Sequence, residues 1–370
     1  MRQIIHISDD NELRRCIAEE IKLYGMNCDL NHLDVSNVVY MDSIFAYWDF
    51  NGDISGWDVS RVQTMCNMFR SSKFSGDISQ WNVGNVESMT CMFEESDFTG
   101  DLSQWDVSKV KSINSIFKHS KFNGDVSTWV LRECNDLNYV FAHCPFNRDI
   151  SNWDVSNIHF MLSTFAGSAF NGDISRWDVS QVETFARMFK NSAFNGDISR
   201  WKCLNADNML EMFMDSKFQG DISQWRLPRV KDYQRMFQNS AFSGDMSSIE
   251  LRRYAAFASM FDSSFKGILP LPTTRRDCAK MYGSMIGGTA PLREYLKAVP
   301  FNTVHADILL QSTKKPSWAN VQDYKWFLEQ AAIFTSLGIP PIEARQLLVQ
   351  SYRSEIKTTL ELPELEGNLC

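Results

Sequence analysis

The sequence predicts a solenoid of stacked 24-residue units, an α/β array by the elements of each unit, followed by a small helical domain. Three observations predict it. A register built on Gly-Asp pairs places Asp53, Asp77, Asp101, Asp125, Asp149, Asp173, Asp197, Asp221 and Asp245 at one fixed period. Trp57, Trp81, Trp105, Trp129, Trp153, Trp177, Trp201 and Trp225 follow four residues behind eight of them. From Pro291 onward the apolar spacing becomes helical and unrelated to the period. A strict period of this length means copies of one small unit, each burying its apolar face against the next.

Residues 1–25 read as a strand and helix capping the exposed end of the array. Ile4-Ile5-His6-Ile7 is a short apolar run. Asp9 with Glu12 has the spacing of a capping box, and Leu13, Cys16, Ile17, Ile21 and Leu23 follow at helical intervals before a stop at Gly25. The array spans 26–267. Its first unit is altered, with Leu33 in the Trp column and Val35, Val38, Met41 and Phe45 in the later apolar columns.

Within one unit, Phe50, Ile54, Trp57 and Val59 suit an extended or turning segment. Val62, Met65, Met68 and Phe69 suit one face of a helix of about two turns, with Ser60 as its cap. Such short elements would draw most of their stability from stacking. The register decays at Ile249, which replaces Trp, and at Pro270 and Pro272. Residues 268–290 read as a closing transition with Met281 and Met285 over the last unit. Residues 291–358 read as a helical C-terminal domain, and the acidic segment 359–370 as a tail.

Composition narrows the function classes. A formal charge of −8, without a Lys/Arg run, argues against nucleic acid as the main partner. Nine cysteines, an odd number carried by no regular column, favour free thiols in a reducing compartment. The first residues lack the apolar core of a secretory signal, so the chain as written reads as cytoplasmic, with surface display or secretion left to a signal-independent route. No apolar stretch approaches 18 residues, and no membrane span is expected.

The stretch Phe170-Asn171-Gly172-Asp173-Ile174-Ser175-Arg176-Trp177-Asp178-Val179-Ser180-Gln181-Val182, completed by Arg187-Met188-Phe189, resembles the BspA-like leucine-rich-repeat surface protein family, whose repeat is also described as mycoplasma-lipoprotein-type. Asp29-Leu30-Asn31-His32-Leu33-Asp34-Val35-Ser36-Asn37-Val38 resembles that family's first unit, and the resemblance covers residues 26–265. It implies a right-handed solenoid of leucine-rich-repeat type. It also implies a bacterial surface protein that binds host or matrix components, with no catalytic residues. The chain departs from the family in its missing signal peptide and lipid-attachment Cys, and in its helical C-terminal region.

Each column offers a structural and a functional reading. The Asp column suits acceptors for backbone N–H groups at the turns better than a calcium ladder, since each unit supplies one regular carboxylate. The Trp column suits core better than a stacking strip, because Leu33 and Ile249 replace it at the ends. Glu95, His119 and His143 share one column, with Cys144 beside the last. That set has zinc-binding chemistry, but a polar surface column is the better reading. No nucleophile elbow or phosphate loop is present.

Function is expected in the columns that vary. Arg61, Lys109, Glu133 and Arg229 come from the column after the Ser cap, and Tyr139 and Phe160 are the aromatic candidates for contact anchors. The expected function is a non-enzymatic recognition scaffold for a protein, with a glycan as a further partner class, and without metal or cofactor. The alternatives are an enzyme using His305, Asp307 or Glu329 in the C-terminal region, and a structural assembly protein.

Overall fold

The computed structural model describes residues 3–251, 255–272 and 278–298. Its regular elements, in order, are β1 (Ile5–His6), α1 (Asp10–Tyr24), β2 (Leu33–Asp34), β3 (Glu250–Leu251), β4 (Leu271–Pro272), α2 (Cys278–Met285) and α3 (Thr289–Ala298). Each strand is two residues long, β1 pairing parallel with β2 and β3 with β4. Between β2 and β3 no helix or strand is present among the described residues.

This corrects the expected fold class. An α/β solenoid of leucine-rich-repeat type needs a strand and a helix, or a helical turn, in every unit. Here the middle of the chain is turns and single bridges, and the helix expected over Val62–Phe69 does not form. The helical domain expected over 291–358 lies almost entirely outside the described residues, as do the tail and His305, Asp307 and Glu329; α3 supplies the described part.

Backbone geometry explains why no helix forms. Two positions in each 24-residue layer take positive φ, such as Asn67 and Ser71, Cys91 and Glu95, Ser115 and His119, and Tyr139 and His143. A left-handed residue every fourth position is incompatible with an α-helix and costs a non-glycine residue about 1 kcal/mol or more. The odd-numbered amides are turned outward instead. Met65, Asn67, Phe69 and Ser71 donate to the carbonyls of Ser88, Thr90, Met92 and Glu94 in the next layer, while Met68, Arg70 and Ser72 donate to the carbonyls three residues back. The chain trades helical bonds for bonds between layers, so its buried polar backbone is still paired.

Parallel bridges mark the same register. They join Tyr40 to Thr64, Thr64 to Ser88, and Ser88 to Ser112, then run from Asp136 through Phe160, Thr184, Asn208 and Asp232 to Ala256. Aromatic columns fill the interior. Phe45, Phe69, Phe93 and their successors to Phe261 stack with ring centroids 5.3–5.9 Å apart. A second file, Phe50 to Phe265, stacks at 6.1–6.4 Å. The eight Trp side chains of the register are buried. Each indole Nε1 donates to a carbonyl 27 residues earlier, Trp57 to Leu30 at 3.0 Å and Trp225 to Ile198 at 2.9 Å among them. The indole therefore fills the core and satisfies a buried carbonyl at the same time.

The Gly-Asp pairs, with Arg148 in place of the glycine before Asp149, divide two tasks. Asp53 Oδ1 accepts from the Ser55 amide at 2.9 Å, and Asp77, Asp101, Asp125, Asp149, Asp173, Asp197, Asp221 and Asp245 repeat the bond to the Ser two residues on. The glycine does not supply a left-handed turn. A Cβ at Gly76 would lie 2.8 Å from the ring of Phe74, and the same clash recurs at Gly100, Gly124 and Gly172. Glycine is there to let the second Phe file lie flat against the backbone.

Both ends are covered. Asp9 caps α1 by accepting from the Glu12 amide at 2.8 Å, as expected, while Glu12 Oε2 accepts from the Ser8 amide at 2.9 Å, one residue before the cap and not from Asp9 as a reciprocal capping box would have it. Leu13, Cys16 and Ile17 join the core. At the far end Phe261 N donates to the Met285 carbonyl, and Tyr295 stacks on Phe265 while its hydroxyl donates to the Gly267 carbonyl at 2.8 Å.

Candidate functional surface

Of the six residues expected to bind a partner, five are exposed and Tyr139 is half-buried, and three of them are engaged between layers. Arg61 Nη1 donates to Asn37 Oδ1 at 3.0 Å, Lys109 Nζ to Asn85 Oδ1 at 2.7 Å, and Arg229 Nη1 to Asn205 Oδ1 at 2.8 Å. In each case the acceptor sits one layer back. The neighbouring column repeats the pattern, with Lys111–Glu87 at 2.6 Å and Lys231–Asp207 at 3.0 Å. Phe160 lies in the bridge column between Asp136 and Thr184 and is 38% exposed. Tyr139 takes a left-handed turn position with the Lys118 ammonium 5.5 Å from its ring centroid.

Two open hollows lie on this face. One, of about 340 Å³, is lined by Lys109 and Glu133 with Glu87, Ser108, Lys111 and Arg132. The other, of about 480 Å³, is lined by Arg229 with His159, Gln181, Glu183, Asn205, Asp207 and Lys231. The structure brings Lys109 to Glu133, and places Arg61 and Arg229 elsewhere; Tyr139 and Phe160 line neither hollow. The first hollow holds the Lys111–Glu87 pair, and the second the Lys231–Asp207 and His159–Glu183 pairs. The expected recognition scaffold, reading a partner through variable columns, is therefore corrected: among the described residues no free array of recognition columns is presented, because Arg61, Lys109 and Arg229 bond the adjacent layer.

The Glu95, His119, His143, Cys144 set does not converge. The two imidazoles stack face to face, centroids 4.5 Å apart and 1° from parallel. Glu95 Oε2 accepts from Ser71 Oγ, and the buried Cys144 Sγ donates to the Phe122 carbonyl at 3.0 Å. Burial, with the adjacent His119 and Lys118, pushes the His143 pKa down. Gly167 occupies the next layer of that column with φ +63°, and a Cβ there would run into the His143 ring.

Two charged clusters were not anticipated. Glu94 has a 3% exposed side chain held between Arg70 Nε at 3.1 Å and Lys118 Nζ at 2.8 Å, from the layers before and after it. Glu211, 5% exposed, meets Lys190 Nζ at 2.7 Å, Arg187 Nε at 2.9 Å and Arg235 Nη1 at 3.3 Å. Burial pushes the Glu211 carboxyl up, but Lys190 and Arg187 together outweigh it and hold the group at about 2. The signal was in the sequence: each Glu has basic residues one layer away on both sides.

The cysteines are unbridged among the described residues, and burial raises the thiol pKa of Cys91, Cys134 and Cys144 to about 11. No described helix is long and apolar enough to cross a membrane.

A family described as "Mycoplasma protein of unknown function, DUF285" matches residues 16–129, 95–193, 115–217 and 169–267, overlapping segments that cover most of the chain. The chain belongs to this family. The match corrects the resemblance to BspA-like leucine-rich-repeat proteins, as does the near-absence of regular secondary structure in the matched region. No curated protein matches the chain, and no solved structure does.

Proposed function

We propose that this member of the family is a non-enzymatic structural spacer, a stiff element that fixes the separation of whatever is attached to its two ends. The observation that carries the proposal is the use of side chains that could bind a ligand as ties between layers: Arg61, Lys109, Arg229, Glu94 and Glu211 all bond across one register step. Indole bonds and two Phe files add ties inside, so relative motion of layers would break many contacts at once. A protein is the partner class such a spacer would hold, with a glycan as a second. Its attachment is proposed at the ends, where α1 and α3 lie, and not along the columns.

Electron spin labels carried by unnatural amino acids at Tyr40 and Asp232 test stiffness, because both sit in the bridge column, eight layer steps apart. At about 4.8 Å per step the separation should be about 38 Å, in one narrow distribution. A broad distribution centred well below that value would contradict a stiff spacer.

A further inference from the structure

Six main-chain bonds recur at each junction between layers. Using the first junction, they run from Gln63 N to Val39 O, Met41 N to Thr64 O, Ser43 N to Cys66 O, Phe45 N to Met68 O, Tyr47 N to Arg70 O and Lys73 N to Trp48 O. At the junction between the layer of Ser112 and the layer of Asp136, three of the six are missing. Asn135 N makes no bond to the Lys111 carbonyl, Ile113 N makes none to the Asp136 carbonyl, and the bridge between Ser112 and Asp136 is absent. The third loss is chemical. Pro145 stands where Lys73, Asp97, Lys121 and Ala169 donate an amide, and proline has no N–H to give.

Local sequence weakens the same layer. Trp105 and Trp153 are each followed by an Asp, and Asp106 and Asp154 accept from the amides of Ser108 and Ser156. Trp129 is followed instead by Val130, 49% exposed, and Arg132 replaces the Ser. Cys134 replaces the buried Val of most layers. Lys111, Arg132 and Glu133 line the hollow over the junction. Elsewhere between Thr64 and Asp232 the junctions keep at least five of the six bonds, Lys217 being the one further amide without its partner.

We propose that the stack opens first at this plane, between residues 112 and 136, as a built-in hinge that exposes the thiols of Cys134 and Cys144. Both face the plane: Cys144 Sγ donates to the Phe122 carbonyl at 3.0 Å and lies 3.6 Å from Ser120 Oγ, and Cys134 is buried within the layer that separates. While closed, neither is open to a reagent. The Ile113 amide meets the Cys134 sulfur across the plane instead, so the net deficit is the Asn135 and Pro145 bonds; at about 1 kcal/mol each they make this plane easier to part than its neighbours. Opening is a minor excursion from the closed stack, so it leaves the Tyr40–Asp232 distance distribution dominated by the closed form, and the proposal stands whether or not the chain serves as a spacer.

Cys203 is the internal control, a fully buried thiol next to a junction that keeps five bonds. The full chain is treated with iodoacetamide in native buffer and each cysteine is followed by mass spectrometry, scaled to its rate in the denatured chain. The thiolate displaces iodide from the reagent's CH₂, the thiol proton going to buffer. Cys134 and Cys144 should be labelled at least tenfold faster than Cys203. Pro145→Ala restores an amide and should slow Cys144 about fivefold, the equivalent of one bond of about 1 kcal/mol, with Cys203 unchanged. Equal scaled rates for all three thiols would overturn the proposal, as would a Pro145→Ala variant that labels Cys144 no more slowly. If Pro145→Ala folds poorly, amide exchange in the unaltered chain decides: the Asn135 amide should exchange far faster than its counterpart Asp207, and equal protection overturns it.

Discussion

Replacing Glu211 by Gln keeps the shape of a side chain that holds three cations from two neighbouring layers, and removes only its charge. In the folded chain Glu211 titrates at about 2, against a reference of 4.5. A depression of that size corresponds to about 3 kcal/mol of stability at neutral pH, at about 1.4 kcal/mol per pH unit. Because the folded value is the lower one, the contribution is complete above about pH 4.5 and is lost as pH falls toward 2. At pH 3 only about 1.4 kcal/mol should remain. Urea unfolding of the parent and Glu211→Gln at pH 7 and pH 3 reads this directly. The gap between them should shrink from about 3 kcal/mol to about half that or less, since every other carboxylate cancels in the difference. A gap that is constant with pH, or below 0.5 kcal/mol at pH 7, would refute a charge clamp at Glu211.

Other perturbations probe single features of the layers. Gly167→Ala places a methyl against the His143 ring at a left-handed position and should destabilise by about 2 kcal/mol, while adding His143→Ala should recover about half, read by thermal unfolding of the single and double variants. Trp153→Phe keeps an aromatic core but removes the donor to the Val126 carbonyl, 2.9 Å away; a loss of about 1–3 kcal/mol is expected by urea titration, and a neutral result would show that this bond contributes little.

Some of this architecture was legible in the sequence for definite reasons. Aliphatic Leu33 and Ile249 in the Trp column marked it as core, and one carboxylate per turn marked the Asp column as a turn device. The layer interior was not legible. Val62, Met65, Met68 and Phe69 are spaced as on a helix, yet the same spacing arises when alternate amides point to the next layer and the turns between close at three residues. Composition hid the left-handed positions, because Asn67, Ser71, Cys91, Glu95, His119 and Tyr139 fill them and glycine takes them only at Gly167. Variability in the exposed columns suggested recognition. Arg61 with Asn37 and Lys109 with Asn85 show that alternation of cation and Asn along a column can serve a bond between layers. The two buried carboxylates went unnoticed because burial of Glu94 and Glu211 depends on the turn geometry that the spacing had misassigned.

The central claim is that 24 residues make one self-contained layer held to its neighbours by register, without helices or strands. Deleting residues 75–122 joins Phe74 to Asn123, removes two layers and preserves the register. Small-angle scattering should then show a folded particle with its long dimension reduced by about 10 Å, at about 4.8 Å per layer. Deleting residues 75–110, one and a half layers, should give an unfolded or aggregated chain. If both deletions fold equally well, or the in-register one does not shorten the particle, the layered account is contradicted.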